Sequence, residues 1–457
     1  MGWEDFRYKQ VGLLGAGLEN LSLVPHLVKV KATVFLCEQN PDALPKDFSY
    51  HFPDVKIVTG DKHLEDLGRY DYVFRSPGLP IERVEASLRK VKDRPVITSA
   101  TDLFLAMTKS VVVGVTGTKG KGTTSTMIGE ILQAAGKSVV VAGNIGKPIF
   151  SVFDELTQSS IVVLELSSFQ LEDLKNSPHV AVVLPITEDH LKPLSVASPN
   201  YHQTMNDYVA AKAHITLHQS QDDWLVFAAD NAESTAIASV SKAKKIAVSQ
   251  AAYQTHWNVD PQGVVYRNGE KFTALAKLNL RGQHVFLNAT MAIAVCETFG
   301  VKISAIEKGL RHFKPLPHRL EDVGVAQGRR YVDDSYATAP EATIAALTAF
   351  TEPVVLIAGG STKGASFDEF AKAVASSAVK GVVLIGQEAP KIAAALKIHA
   401  AQTKILDGGK SLDEAVEKAR QLSSEGDVIL LSPGCASKDM FKNAAERGDI
   451  FKSLVRS

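Results

Sequence analysis

The chain has 457 residues, 45% of them apolar, which suits two to four domains with real cores and excludes disorder. Lys plus Arg and Asp plus Glu each number 50, so no net field points toward nucleic acid or an anionic membrane. The three cysteines (Cys37, Cys296, Cys435) are far apart and lack metal-ligand spacing, which argues against a disulfide framework.

From the N-terminus, Met1 to Arg7 carries no charged-then-apolar signal pattern, and no stretch nears the ~18 apolar residues of a membrane span. A cytoplasmic, monomeric protein is expected. Residues 1–108 read as a first domain of alternating strands and helices. Gln10–Leu14 is a strand, Gly15 to Asn20 a turn, Leu21–Val28 a helix, and Thr33–Cys37 a strand ending at Glu38. A glycine turn with an acid about 20 residues on imitates the dinucleotide fingerprint. Asn20 stands where the third glycine belongs, so the expectation is a Rossmann-like fold for a nucleotide other than NAD. Ser76-Pro77-Gly78 marks a later strand end.

Residues 109–314 form a second domain opened by the most informative segment. The apolar strand Ser110 to Val115 runs into Gly117-Thr118-Lys119-Gly120-Lys121-Gly122-Thr123-Thr124, and a helix follows with Met127, Ile128, Ile131 and Leu132 on one face. Glycines let backbone N–H groups turn inward, a helix N-terminus favours anionic charge, and a lysine reaches terminal phosphates. The strict P-loop pattern is broken at Val115 and at Gly122, which shifts the hydroxyl for Mg2+ to Thr123. ATP or a close relative is the expected ligand.

Further along, Val139–Val141 ends at Gly143-Asn144, Ile161–Leu164 runs into Glu165, Val180–Leu184 leads to Thr187-Glu188-Asp189-His190, and Trp224–Phe227 is another strand. An acid ending an apolar strand suits Mg2+ but is as readily a cap or a solvated group, and a lone histidine is usually structural. The company of Ser167 to Gln170 and His190 beside a phosphate loop favours one crevice at strand C-termini. Trp257 to Leu280 is a β-rich insertion with Asn268-Gly269 as its hairpin turn, and a helix spans Phe286–Phe299. Residues 315–457 form a third domain, with strands at Tyr331–Val332, Val354–Ile357, Val382–Ile385 and Val428–Leu431 alternating with helices such as Pro340–Ala349 and Leu412–Leu422. The fold class is therefore α/β in three consecutive domains: Rossmann-like, P-loop ATPase-type with a small β-rich piece, and doubly wound.

An ordered set of motifs resembles the Mur ligase family. It comprises Gly117 to Thr123, Gly143-Asn-Ile-Gly146, Leu164-Glu-Leu-Ser-Ser-Phe-Gln-Leu-Glu172, Thr187 to His190, Tyr208-Val-Ala-Ala-Lys212, Gly282-Gln-His284 with Asn288, Pro317-His-Arg319, Asp334-Ser335 and Ser432-Pro-Gly-Cys-Ala-Ser437. The Leu164 to Gln170 stretch, with Phe441-Lys-Asn443 and Glu446-Arg-Gly448, favours the D-glutamate-adding branch. The resemblance implies that ATP phosphorylates the carboxylate of UDP-N-acetylmuramoyl-L-alanine and that the amine of glutamate attacks the acyl phosphate, in peptidoglycan precursor synthesis. It implies that Lys121 holds the β/γ-phosphates, that Thr123 and Glu165 serve one Mg2+, and that His190 serves a second with Lys212 carbamylated by CO2. Without the resemblance, Lys212 reads as a solvated helix lysine.

The resemblance further implies adenine contact by Asn288 and nucleotide contacts by Arg319 and Asp334. It places Asn144, Ser167, Gln170 and His190 on the muramoyl-alanine path, Leu18, Glu38, Ser76 and Gly78 at the uridine diphosphate, and Lys363 and Ser437 at the glutamate carboxylate. Ser437 also reads as a helix N-cap. Five positions depart from the family pattern: Tyr336 replaces a lysine, Ala339 an asparagine, Ala444 an aromatic residue, Asn40 an arginine and Glu19 a small hydroxyl residue. These leave the identity and handedness of the added amino acid open. The Gly-Lys-Gly-Thr loop also resembles folylpolyglutamate synthase, against which the domain preceding the loop argues. A nucleotide-binding regulatory protein is the non-enzyme alternative: Tyr336 and Ala444 favour it, while Lys121, Glu165, His190 and Lys212 oppose it.

Overall fold

The computed structural model describes the chain except residues 144–146, 192–199, 251–254, 279, 315–316, 362–365 and 457. By packing, the chain divides into two compact units, Met1–Leu278 with Leu287–His312, and Asn279–Phe286 with Phe313–Ser457.

The first unit holds two sheets. One has strands β1 (Gln10–Leu14), β2 (Thr33–Glu38), β3 (Lys56–Thr59), β4 (Tyr72–Arg75) and β5 (Val96–Thr98) in the order β3-β2-β1-β4-β5. All its pairings are parallel. Both faces of such a sheet are covered, which is why β1 reads as an unbroken apolar run and buries Val11, Leu13 and Leu14 completely. The chain order reverses between β1 and β4, so a crevice opens past their C-terminal ends. The helix after β1 spans Leu18–Lys29, so Leu18, Glu19 and Asn20 are its first turn and not loop. The Asn20 side-chain amide is buried and donates to the carbonyls of Leu14 and Gly15, both at 3.0 Å. The residue that spoils the glycine fingerprint ties off the strand end instead.

The second sheet contains β6 (Val111–Thr116), β7 (Ser138–Gly143), β8 (Ser160–Glu165), β9 (Val180–Val183), β10 (Trp224–Ala228), β11 (Lys244–Ser249), β12 (Trp257–Val259), β13 (Val264–Arg267) and β14 (Glu270–Ala274). Its order is β14-β13-β12-β11-β10-β9-β6-β8-β7. The strand that leads into the glycine loop thus lies between the strands that end at Glu165 and before Thr187. In register, Val115 is opposite Glu165 and Thr116 opposite Val183. The hairpin β13–β14 turns at Asn268-Gly269 as expected and extends the sheet antiparallel to β12. The amphipathic face of the helix Lys121–Ala134 buries Met127, Ile128, Ile131 and Leu132 fully.

The second unit contains β15 (Glu321–Ala326), β16 (Arg329–Asp333), β17 (Val354–Gly359), β18 (Val379–Ile385), β19 (Lys404–Asp407) and β20 (Val428–Leu431), ordered β15-β16-β20-β17-β18-β19. The sequence reading missed both edges. β15 is antiparallel to β16, carries a bulge and exposes part of each residue, and β19 is only half covered. Edge strands bury too little for an apolar run to announce them. No described helix is long and apolar enough to cross a membrane.

Candidate active site

The glycine loop sits at the C-terminal end of β6, where the helix Lys121–Ala134 begins with unsatisfied backbone N–H groups. Gly120 has φ +85°, and a Cβ there would lie 2.5 Å from Asn288 Oδ1. The loop needs glycine at that point because Asn288 packs against it. Lys121 curls back, its Nζ donating to the carbonyls of Gly117 at 3.1 Å and Thr118 at 3.0 Å. Thr118 is structural: its hydroxyl accepts from Thr187 N at 2.9 Å, donates to Thr187 O at 3.0 Å and lies 3.2 Å from the Tyr208 hydroxyl. Lys119 is exposed and paired with Asp189 at 3.0 Å. Thr123 is partly exposed on the first turn, whereas Thr124 is buried with its hydroxyl unpartnered.

Lys212 overturns its solvated reading. It lies in the helix Met205–Leu217 at 1% exposure, with Nζ donating to Gly117 O at 3.0 Å and sitting 4.5 Å from the Tyr208 ring centroid. Burial, reinforced by the Lys121 charge, pushes its pKa well below that of a free lysine. Glu165 is buried at the end of β8.

His190 has φ +58°, an uncommon conformation for histidine, and its carbonyl accepts from His202 N at 2.9 Å. Its ring meets Phe169 edge-on at 5.2 Å, and its Nδ1 is buried without a hydrogen bond. Burial, with Lys121 and Lys212 nearby, lowers its pKa. Burial would raise the Asp189 carboxyl, but Lys119 and His190 outweigh it and hold the group below the usual carboxylate range. His202 stacks on Phe169 at 4.8 Å and bonds Ser168 Oγ at 2.9 Å through Nε2, and burial lowers its pKa to about 4. The loop, Glu165, His190 and Lys212 therefore converge, as adjacent strand ends require.

The expected uridine diphosphate residues also converge. Leu18 is 72% exposed, Gly78 is exposed, and the Ser76 side chain lies over the Gly15–Gly17 turn. Glu38 closes that turn by accepting from Ala16 N at 2.7 Å and Asn40 N at 2.9 Å. Asn40 caps the next turn through its side chain. Gln170 is occupied internally: it forms a capping box with Ser167, and its amide nitrogen donates to Glu19. Asn144 lies outside the described residues.

In the second unit, Arg319 stands between His318 and Leu320, both at positive φ. His318 Nδ1 bonds Asp333 at 2.7 Å, and Asp334 accepts from Leu320 N at 3.2 Å and from the Ser432 hydroxyl at 2.7 Å. Burial raises the Asp334 carboxyl to about 7. Tyr336 lies 5.5 Å from the Arg319 guanidinium, and Ala339 precedes the first turn of the helix Pro340–Leu347. The Ala444 carbonyl accepts from Ser335 Oγ at 2.7 Å. Ser437 is buried but caps no helix; the next one begins at Ala444, which corrects the N-cap expectation. Lys363 lies outside the described residues. Sequence reasoning passed over Arg75, Asn200, His202 and the fully buried Arg447; the one available signal was a charged residue, Arg75, ending the apolar strand β4.

Residues 115–296 match the Mur ligase middle domain, and residues 318–435 match the Mur ligase, glutamate ligase domain. The chain is 36% identical over 466 residues to the UDP-N-acetylmuramoylalanine--D-glutamate ligase of Symbiobacterium thermophilum, covering 98% of each. Among solved structures, the UDP-N-acetylmuramate-alanine ligase of Thermotoga maritima superposes with TM-score 0.60 at 18% identity, covering 98% of this chain and 99% of that one. Folylpolyglutamate synthase of Mycobacterium tuberculosis gives TM-score 0.56 at 16% identity, but covers only 78% of this chain and 94% of its own.

Proposed function

This chain belongs to the Mur ligase family, an ATP-dependent family of amide ligases, and on that premise we propose that it joins D-glutamate to UDP-N-acetylmuramoyl-L-alanine in peptidoglycan precursor synthesis. One observation carries the choice of substrate pair: identity of 36% along 98% of both chains with a relative named for that reaction. The first domain is included in that span, which disfavours the folate reading.

In the reaction, the γ-phosphoryl group of ATP moves to the substrate carboxylate, the glutamate amine attacks the acyl carbon, and phosphate leaves as the amine loses its proton. The helix N-terminus and Lys121 would hold the nucleotide phosphates by backbone N–H groups and charge. Gly117, Thr118, Gly120, Gly122 and Thr124 shape that cradle, with Asn288 beside it for the base.

The donor set fits divalent cations. The Glu165 carboxylate and the Thr123 hydroxyl are oxygen donors of the kind Mg2+ takes, and we assign His190, whose Nδ1 has no hydrogen bond and whose burial disfavours the charged form, to a second ion together with carbamate oxygens on Lys212. Bound there, Mg2+ would neutralise charge on the phosphoryl oxygens. Lys212 is held toward its neutral amine, the form that adds CO2 and, on losing a proton, becomes a carbamate. We assign Ser167 and Gln170 to the shape of the muramoyl path, and Leu18, Glu38, Ser76 and Gly78 to the uridine diphosphate. In the second unit, Arg319 and Asp334 are assigned to the nucleotide, and Lys363 and Ser437 to the glutamate side chain.

A phosphate-release assay with UDP-N-acetylmuramoyl-L-alanine across D-Glu, L-Glu, D-Asp and meso-diaminopimelate tests the reading. Release is expected with D-Glu alone; equal release with L-Glu overturns the handedness, and release with a folate in place of the muramoyl substrate overturns the reaction.

A further inference from the structure

Arg75 ends β4 at 1% exposure and lies outside the motifs named above. A guanidinium removed from water costs several kcal/mol unless its donors are satisfied. Here Nε donates to Asp173 at 2.7 Å, Nη1 to the Leu79 carbonyl at 2.9 Å and Nη2 to the Phe169 carbonyl at 2.9 Å. Leu79 follows the Ser76–Gly78 turn of the first sheet. Phe169 and Asp173 follow β8 of the second, in the segment that carries Ser167 and Gln170. A second strut reaches the same turn from the stretch after β9: the Asn200 side-chain amide, 6% exposed, donates to the Pro77 carbonyl at 2.7 Å, and His202, two residues on, bonds Ser168 Oγ at 2.9 Å and stacks on Phe169. One strut grips the backbone of the turn proposed for the diphosphate at Pro77 and the other at Leu79, whose N–H closes that turn on the Ser76 carbonyl.

We infer that Arg75 and Asn200 are positioning residues for the UDP-linked substrate, holding the Ser76–Gly78 turn at a set distance from the Ser167–Leu171 segment so that the reacting carboxylate is placed by its distance from the diphosphate. This rests on the ligase reading above. Reacting atoms must meet within ~3–3.5 Å, and a displacement of about 1 Å carried along a gripped substrate lowers the rate by about 10²-fold. Arg keeps the turn in place because its planar fork reaches the Asp173 and Glu172 carboxylates and two carbonyls at once, which a lysine cannot do.

The experiment compares Arg75→Lys and Asn200→Ala with wild type on UDP-N-acetylmuramoyl-L-alanine and on N-acetylmuramoyl-L-alanine, which lacks the diphosphate anchor. For Arg75→Lys, kcat for the UDP-linked substrate should fall by up to about 10²-fold, KM for ATP should stay within about twofold, and kcat/KM for the short substrate should match wild type. Asn200→Ala should show the same pattern at about threefold and decides the matter if Arg75→Lys does not fold. Equal losses on both substrates, or a parallel rise in KM for ATP, overturn the positioning role and leave the ligase reading intact. Absence of phosphate release by wild type with the UDP-linked substrate and D-glutamate overturns the ligase reading, and the positioning role with it.

Discussion

Replacing Lys212 separates chemistry from stability. Lys212→Met loses the bond to Gly117 O at 3.0 Å, which for an amine held toward its neutral form is worth about 0.5–1.5 kcal/mol. Against this stands the desolvation of a polar amine at 1% exposure, about 1–3 kcal/mol. The terms nearly cancel, and methionine preserves the packing, so the melting temperature at pH 7 should stay within about 4 °C of wild type. The pH dependence has a definite sign. The folded pKa lies well below the ordinary 10.5, so the unfolded chain binds the extra proton between those values. Wild-type stability therefore gains from this group as pH rises toward 10.5, and Lys212→Met lacks that gain. Turnover should fall about 10³-fold, the equivalent of about 4 kcal/mol of transition-state stabilisation. Lys212→Ala should be partly rescued by formate or acetate, which can occupy the vacated carboxylate position. With ¹³C-labelled CO2, wild type should show a carbamate carbon resonance by NMR that both variants lack. Undiminished wild-type turnover in CO2-free buffer, with no such resonance, refutes the reasoning.

Other expectations rest on separate observations. His190→Ala should lower turnover far more than ATP affinity, measured by steady-state kinetics and by calorimetric titration; equal losses would remove its assigned metal role. Gly120→Ala forces a side chain onto a backbone at φ +85° and against Asn288, so it should cost about 1–3 kcal/mol and weaken ATP binding, with partial relief in the Gly120→Ala/Asn288→Gly double variant; an unchanged melting temperature would contradict the close approach. Burial pushes Glu19 from 4.5 up to about 7. The folded state then holds the extra proton through that window, and stability falls as pH rises from 4.5 to about 7. Glu19→Gln should remove up to about 3 kcal/mol of that fall, read as melting temperatures at pH 5 and pH 8, while Glu172, also pushed up to about 7, sustains the rest.

The glycine loop was readable because its signal is local: glycine conformations, a helix N-terminus and one lysine lie within eight consecutive residues. The hairpin at Asn268-Gly269 was legible for the same reason. The start of the first helix was misplaced because Asn20 looks like a turn former until its buried amide is seen bonding Leu14 and Gly15. Ser437 looked like a helix cap, since serine before a helix-compatible run gives the same local pattern whether or not the helix forms there.

What the residues alone determined, then, was the glycine loop at a helix N-terminus, the alternation of strand and helix, and the ordered motifs. Only the tertiary structure decided which side chains lose water together. The strand order β9-β6-β8 brings Lys212 to Thr116, 96 positions away, and packing of the two sheets of the first unit brings Arg75 to Asp173, 98 positions away. Desolvation depends on neighbours from distant segments, and no periodicity along one element records it. A lysine that reads as solvated along its helix thus becomes a buried amine with a lowered pKa.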